Sequence, residues 1–284
     1  MAAALSDTQV NEYFQRIAYT GGREPNLENL NAIIFKHITK IPFENLDVLC
    51  LPGHQSVSID LNEMHTHLVS NERGSYCFVL NTYFMALLKY LGYSVLPVSG
   101  RVRLSAPTRD IIPARTHIFL LVTICEYRYI VDLGVGGASL SIALPFDPTG
   151  LEYTTPHEKH RVMSSIDTDG RELFFHQVYY NDWIDICDFT TERMNPIDIT
   201  IGNWYTSAHP TSHFKNRLVV SIFGPPGTRK AILNHEFSIR DTVSGAVQNR
   251  TITTVDELFS ILQEHFGIKI QSRTPLLCTA LYWD

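Results

Sequence analysis

From Cys77 to Leu91 the chain is apolar on nearly every side, with Phe78, Leu80, Phe84, Leu87, Leu88 and Leu91 leaving no polar face for water. A helix of about four turns with that pattern has to be enclosed by other elements. Gly92 is placed to end it in a left-handed conformation. Enclosure demands a sizeable core, and this chain can supply one. It has 284 residues, 44% hydrophobic and 18% charged, which is ordinary globular usage. That is enough for two or three domains that need no disulfide or metal to hold them.

The formal net charge of -6 argues against general binding to nucleic acid or anionic membranes. The first ten residues have no basic run, and their apolar stretch stops at Ser6–Asp7, so they do not read as a signal peptide. The longest clean apolar run, Ile118 to Val122, is far short of the ~20 residues of a membrane helix. Cys50, Cys77, Cys125, Cys187 and Cys278 are odd in number and scattered, without a Cys-x-x-Cys. That usage fits a reducing, cytoplasmic setting, and neither a disulfide framework nor a zinc ribbon.

Elsewhere the periodicity divides the chain. Val10, Phe14, Ile17 and Ala18 make one amphipathic helical stripe, with Ser6 and Asp7 as caps, and Leu27 to Lys40 repeats it through Leu30, Ile33, Ile34 and Ile38. Pro42 to Asn71 reads as turns. Strands are predicted at Val95–Val98, Arg101–Leu104, Thr116–Ile124, Arg128–Leu133, Leu173–Tyr180 and Asp185–Phe189, then at Leu218–Phe223, Ala231–Asn234 and Phe237–Arg240. A last helix, Val255–His265, is capped by Thr254 and stopped at Gly267. The class is α+β, with antiparallel strands in a barrel or a sandwich.

Arg73-Gly74-Ser75-Tyr76-Cys77 leads straight into the buried helix and puts Cys77 in its first turn. Unpaired N–H groups and the helix dipole there favour an anion, so the thiol is expected to ionise more readily; the competing reading is an inert core cysteine. A two-residue loop at Cys125–Glu126 would pair positions summing to 251, so His117 faces Gly134 and Asp132 is one diagonal step away on the same face. Cys77, His117 and Asp132 then supply a nucleophile, a base and the group that orients the base. His65 and His67 resemble a metal pair on a strand but have no Cys, Asp or Glu at ligand spacing beyond Glu63, and His157 and His160, three apart with Glu158, lie in a Pro-flanked loop with no helix to align them. No metal site is expected. Gly224-Pro225-Pro226-Gly227 reads as a turn and not as a phosphate loop.

Several segments together resemble one family. Arg73 to Asn81 (RGSYCFVLN), Ile41 to Leu46 (IPFENL), Thr116-His117, Val131 to Gly134 (VDLG), and Pro210-Thr211-Ser212 followed by Phe214 look like the signature segments of the arylamine N-acetyltransferases, in family order. The resemblance implies an N-terminal helical bundle (1–92) carrying Cys77, a central antiparallel β-barrel (93–203) carrying His117 and Asp132, and a C-terminal α/β lid (204–284). It also implies an acyl-CoA donor, an aromatic amine or hydrazine acceptor, and a monomer or weak dimer. By the same likeness Thr211 and Ser212 contact CoA, Val135 and Phe43 face the acceptor pocket, and Glu44 and Arg73 form a buried structural salt bridge. Lys215, Arg217, Arg229 and Lys230 supply positive charge around the lid, or else form a solvated surface. Two residues depart from the family pattern: Ser75 replaces the usual Gly, and Val79 a frequent Glu or Gln. Acetyl-CoA is the implied donor; propionyl- or malonyl-CoA needs only modest pocket changes, with Arg101, Arg103 or Arg115 as candidate readers of a carboxylate. A cysteine hydrolase with the same Cys-His-Asp order and a non-catalytic acyl-CoA-binding protein are the alternatives.

Overall fold

The computed structural model describes residues 4–50, 55–106 and 108–270; Cys278 lies outside them. Helix α1 (Asp7–Arg16) opens on a reciprocal cap, with Ser6 Oγ accepting from the Gln9 amide at 3.3 Å and Gln9 Oε1 accepting from the Ser6 amide at 3.0 Å. The expected stripe overruns its end, since Ala18 is exposed at φ 53°. Helix α2 (Leu27–Lys40) matches its predicted span and buries Leu30, Ile33, Ile34 and Ile38. The region read as turns holds strand β1 (Phe43–Glu44), helix α3 (Leu46–Cys50), helix α4 (Leu61–His65) and a π-helical turn, Thr66–Ser70. Each has five residues or fewer, too short to display a period. Helix α5 (Cys77–Tyr90) runs through the largest core cluster, and Gly92 follows it at φ 88°.

An eight-stranded antiparallel sheet of nearly closed barrel form comes next. Its strands are β2 (Ser94–Val102), β3 (His117–Ile124), β4 (Tyr127–Val131), β5 (Leu144–Pro145), β6 (Tyr153–Thr154), β7 (Lys159–Ile166), β8 (Glu172–Tyr179) and β9 (Trp183–Arg193), in the order β5-β4-β3-β2-β9-β8-β7-β6. The two strands expected at 95–98 and 101–104 are one strand, with a register shift against β9 between Val98 and Gly100. Strand β7 escapes sequence reading because one of its inward residues is a polar His160, beside Val162, so no apolar alternation shows.

Helix α6 (Pro196–Ala208) was not expected either, and the boundary anticipated at 203/204 falls inside it. Its apolar residues mislead, since Ile197, Ile201 and Trp204 are exposed while Asn203, Thr206 and Ser207 are buried. After the short α7 (His213–Asn216) come β10 (Val219–Phe223), β11 (Thr228–Leu233), β12 (Glu236–Asp241), β13 (Val247–Thr251) and helix α8 (Val255–Phe266). These strands and β1 form a second sheet, ordered β1-β10-β11-β12-β13. Thr254 caps α8 and Gly267 ends it at φ 69°. Val220, Ile232 and Phe237 pack with Leu258, Ile261, Leu262 and Phe266 of that helix.

The N-terminal segment is therefore stitched into the C-terminal sheet. The Phe43–Glu44 pair lies antiparallel to Ser221–Val220 and also bridges Ser75. Asn45, 1% exposed, donates to the carbonyls of Phe214 (2.9 Å) and Arg217 (2.6 Å) and accepts from the Val219 amide at 2.8 Å. Replacing it with Ala strands three backbone groups. We expect Asn45→Ala to lower unfolding free energy by about 2–4 kcal/mol in urea titration; a loss below about 0.5 kcal/mol would show that water replaces the amide at no cost.

Candidate active site

Cys77 is the first residue of α5, and the turn before it is held from several sides. Tyr76 is the N-cap, in extended conformation with no side-chain cap, so the first-turn N–H groups are left free of one. Its buried hydroxyl bonds Asn203 on α6. A Cβ on Gly74 would lie 2.0 Å from the Pro42 carbonyl oxygen, so only glycine fits there. The Arg73 guanidinium donates to Glu44 Oε1 through Nε (3.0 Å) and Nη2 (2.7 Å), and Nη2 also reaches Asp47 at 2.9 Å. Burial raises the Glu44 carboxyl, with Arg73 opposing, while the other Glu44 oxygen accepts from the Leu46 amide at 2.7 Å. His67 Nε2 donates to the Gly74 carbonyl at 2.8 Å. Ser75 is buried and its carbonyl accepts from the Glu44 amide at 2.9 Å. Val79 points about 200° round the helix from Cys77 and lines a separate cavity of ≈ 390 Å³ with Asp47, Met64 and His67.

The β3–β4 hairpin keeps the expected register, from Leu120 opposite Val131 to Ile124 opposite Tyr127, with Cys125 at φ 54° in the two-residue turn. His117 Nε2 and Asp132 Oδ2 are 2.6 Å apart, at 1% and 2% exposure. Asp132 Oδ1 accepts from the Gly134 amide (2.9 Å) and from Asn81 Nδ2 (3.0 Å). That Asn81 amide also donates to the Ile118 carbonyl at 2.7 Å and accepts from the Leu133 amide at 3.0 Å, tying α5 to both strands. Asn81 has no role in the sequence reading; its signal was an amide in an otherwise apolar helix. The neighbouring Cys77 side chain also favours the charged form of His117, and Cys77 Sγ lies 3.8 Å from the Thr116 carbonyl oxygen. A Cβ on Gly134 would come within 2.5 Å of Cys77 Cα, so the hairpin approaches the helix at glycine contact.

The other expected site residues fare differently. Phe43 stands 3.4 Å from where a Cβ on Gly136 would sit, beside the turn that follows Asp132. Val135 packs against Ala138, Val178 and Ile186. Ser212 is buried and caps α7, accepting from the Phe214 amide at 3.3 Å and donating to the Thr206 carbonyl. Thr211 is exposed, its hydroxyl 2.9 Å from His209 Nδ1. Arg229 is no solvated charge, being buried against Glu158. Arg101 and Arg103 do not face the triad. Gly100 pairs with His117, so its neighbours point to the opposite face, where they meet Asp188. His65 and His67 lie on α4 and the π-helical turn, not on a strand; His65 bonds Tyr83 and Glu12. His160 sits on β7 against His176 at 3.1 Å, rather than in a loop.

Burial works against a charged His117, but the Asp132 carboxylate and hydrogen bonds to Asp132 and Cys77 outweigh it and lift the imidazole from 6.5 to about 10. Burial pushes Asp132 up, yet His117 and the donors from Gly134 and Asn81 bring it below its ordinary value. The site is thus a cysteine against an imidazolium that a carboxylate holds in place.

Residues 26–274 match the N-acetyltransferase family profile. The arylamine N-acetyltransferase of Escherichia coli is 34% identical over 261 residues, 92% of this chain and 89% of that one. Among solved structures, the arylamine N-acetyltransferase of M. tuberculosis superposes with a TM-score of 0.87 at 28% identity, over 96% of this chain and 100% of that one. The Mycobacterium marinum enzyme in complex with CoA gives 0.83 at 30% identity, over 91% and 92%.

The charge state of the pair can be read directly. Nitrogen-15 NMR of the imidazole should show imidazolium at pH 7, titrating near pH 10. A folded value above the unfolded one means that the His117 contribution to stability is complete below pH 6.5 and is lost as pH rises toward about 10. The depressed Asp132 contributes above its ordinary carboxylate value and loses that contribution as pH falls. A ring titrating near 6.5 would contradict the pairing.

Proposed function

The chain belongs to the arylamine N-acetyltransferase family and is an acyl-CoA-dependent transferase of acetyl groups to arylamines; on that premise we propose that transfer runs by a ping-pong mechanism through an acyl thioester on Cys77. The supporting observation is the 2.6 Å contact of buried His117 and Asp132 on a hairpin pressed against Cys77. The Cys77 thiolate attacks the acetyl-CoA carbonyl, the bond to the CoA sulfur breaks, and the departing thiolate takes the proton from His117. One thioester replaces another, so this half-reaction is close to neutral and reversible. The amine then attacks the acyl carbon and passes its proton to His117. Expulsion of the Cys77 thiolate restores the starting pair. Aromatic amines are weak bases and are present at pH 7 as free nucleophiles. First-turn amides of α5, those of Cys77 and Phe78, are the candidate donors to the tetrahedral oxyanion.

In this reading residues 1–92 bring the nucleophile, the eight-stranded sheet that follows brings the base and its carboxylate, and the second sheet with α8 forms a lid. Glu44 and Arg73 brace the turn before Cys77. Thr211 is the exposed hydroxyl available to CoA, while Ser212 shapes that segment from beneath. Phe43 and Val135 border the acceptor pocket. Propionyl- and malonyl-CoA are further donors that the same chemistry serves. All three reacting side chains come from one chain, so a monomer or weak dimer suffices. The scattered cysteines favour the cytoplasm.

Incubation with acetyl-CoA alone should add one acetyl group to Cys77, seen by peptide mass spectrometry and discharged by aniline as acetanilide. Cys77→Ser should abolish labelling and transfer with the fold intact, and Asp132→Asn should lower kcat by about a thousandfold or more through the wrong imidazole tautomer. Steady CoA release without amine would indicate a hydrolase. Neither label nor turnover would indicate a binding protein.

A further inference from the structure

The second sheet has two faces, and only one is explained by its core. Val220, Ile222, Ile232 and Phe237 point to α8. Alternation therefore sends Phe43, Ser221, Phe223, Arg229 and Arg240 to the other face. That face looks onto the turn after Asp132. Phe43 and the Ser221 hydroxyl lie 3.4 and 3.5 Å from a Cβ on Gly136, and Arg229 Cδ lies 3.3 Å from one on Gly137. The Ser221 hydroxyl is buried with no partner.

Two cations share this wall with one anion. Arg229 and Arg240 are directly opposite in register. Their guanidiniums sit 5.6 and 4.5 Å from the centre of the Tyr180 ring, and Arg229 also lies 4.9 Å from that of Phe223. Arg229, with its side chain 7% exposed, bonds Glu158 and donates to the Tyr180 hydroxyl at 2.7 Å, while its Nε is buried without a partner. Arg240 has no carboxylate within 4.0 Å among the described residues, and its Nε is likewise buried and unpartnered. His157 adds no third positive charge, since burial and then Arg229 hold its imidazole down at about 4. Uncompensated guanidinium at a buried wall is costly unless an anion arrives.

The wall is within reach of the chemistry. Gly134 touches Cys77 and Gly137 touches Arg229; three Cα steps cover at most about 11 Å. We propose that Arg229, Arg240 and Tyr180 form a carboxylate subsite, so that the enzyme selects substrates carrying a carboxylate a short acyl's or one aromatic ring's length from the reacting centre. The fork of a guanidinium matches a carboxylate in two hydrogen bonds, and Tyr180 offers a flat support for both cations. The carboxylate belongs to the acyl group of a dicarboxylic mono-CoA ester or to the ring of an aminobenzoate. This rests on the transferase reading above.

Two ratios test it: kcat/KM for malonyl-CoA over acetyl-CoA with aniline, and for 4-aminobenzoate over aniline with acetyl-CoA. They are measured in the wild type, in Arg240→Gln, and in the double variant Arg229→Gln/Glu158→Gln, which removes a cation and its anion together. We expect at least one ratio to fall tenfold or more in both variants. A fall in the first assigns the carboxylate to the donor, a fall in the second to the acceptor. Both ratios staying within twofold of wild type in Arg240→Gln would overturn the subsite while acetyl transfer to aniline stands. A wild type that moves no acetyl group to aniline would take the transferase reading down, and the subsite with it.

Discussion

A carboxylate and an imidazole almost wholly out of water are tolerable in this core only because each faces the other. Charge burial costs several kcal/mol per ion unless partners replace water, and the partners here are specific. Asp132 receives His117 on one oxygen and the Gly134 and Asn81 donors on the other. Its charge is therefore fully met, and His117 is held as an imidazolium. Around this pair the fold becomes constrained. The helix carrying the sulfur and the hairpin carrying the pair must meet in one register.

Two glycines allow that meeting. Gly134 lets the hairpin lie against the backbone of Cys77, and Gly74 lets the turn before Cys77 lie against Pro42. Neither position has room for a methyl group. Asn81 converts the close approach into a fixed one, because a single side chain binds the Ile118 carbonyl, the Leu133 amide and Asp132. Sliding the helix by one residue would break all three. The Arg73–Glu44–Asp47 cluster anchors the other end of the same turn to the strand that enters the second sheet.

What the sequence makes legible follows from periodicity and parity. Helix α2, the buried α5 and α8 are long enough to show their period, and the caps of α8 at Thr254 and Gly267 are local chemistry. The His117–Asp132 proximity needs only strand parity and a two-residue loop. Elements of five residues between Pro42 and Asn71 carry no period to read. Helix α6 turns Ile197, Ile201 and Trp204 outward, so its pattern points to the wrong face. Arg101 and Arg103 follow Gly100, the cross-strand partner of His117, and alternation sends them to the opposite side of the sheet. Arg229 looks like a surface charge until the second sheet folds it onto Glu158. Long-range pairing, which no local pattern encodes, decides these cases.

The placement of β1 explains why a lid-like sheet belongs to the site at all. Glu44 reaches back to Arg73 in the turn before the nucleophile, while Phe43, one residue earlier on the same strand, faces Gly136 beyond the carboxylate. Alternation along a two-residue strand thus sends one side chain to the turn before Cys77 and the other to the turn after Asp132. Because β1 pairs only with β10 in that sheet, a tilt of β10 and β11 relative to α5 would move Phe43 and Arg229 together while straining the Glu44–Arg73 bond. The strand that faces Gly136 and the ion pair that holds the turn before Cys77 are in this way one mechanical unit, with Asn45 as its pin.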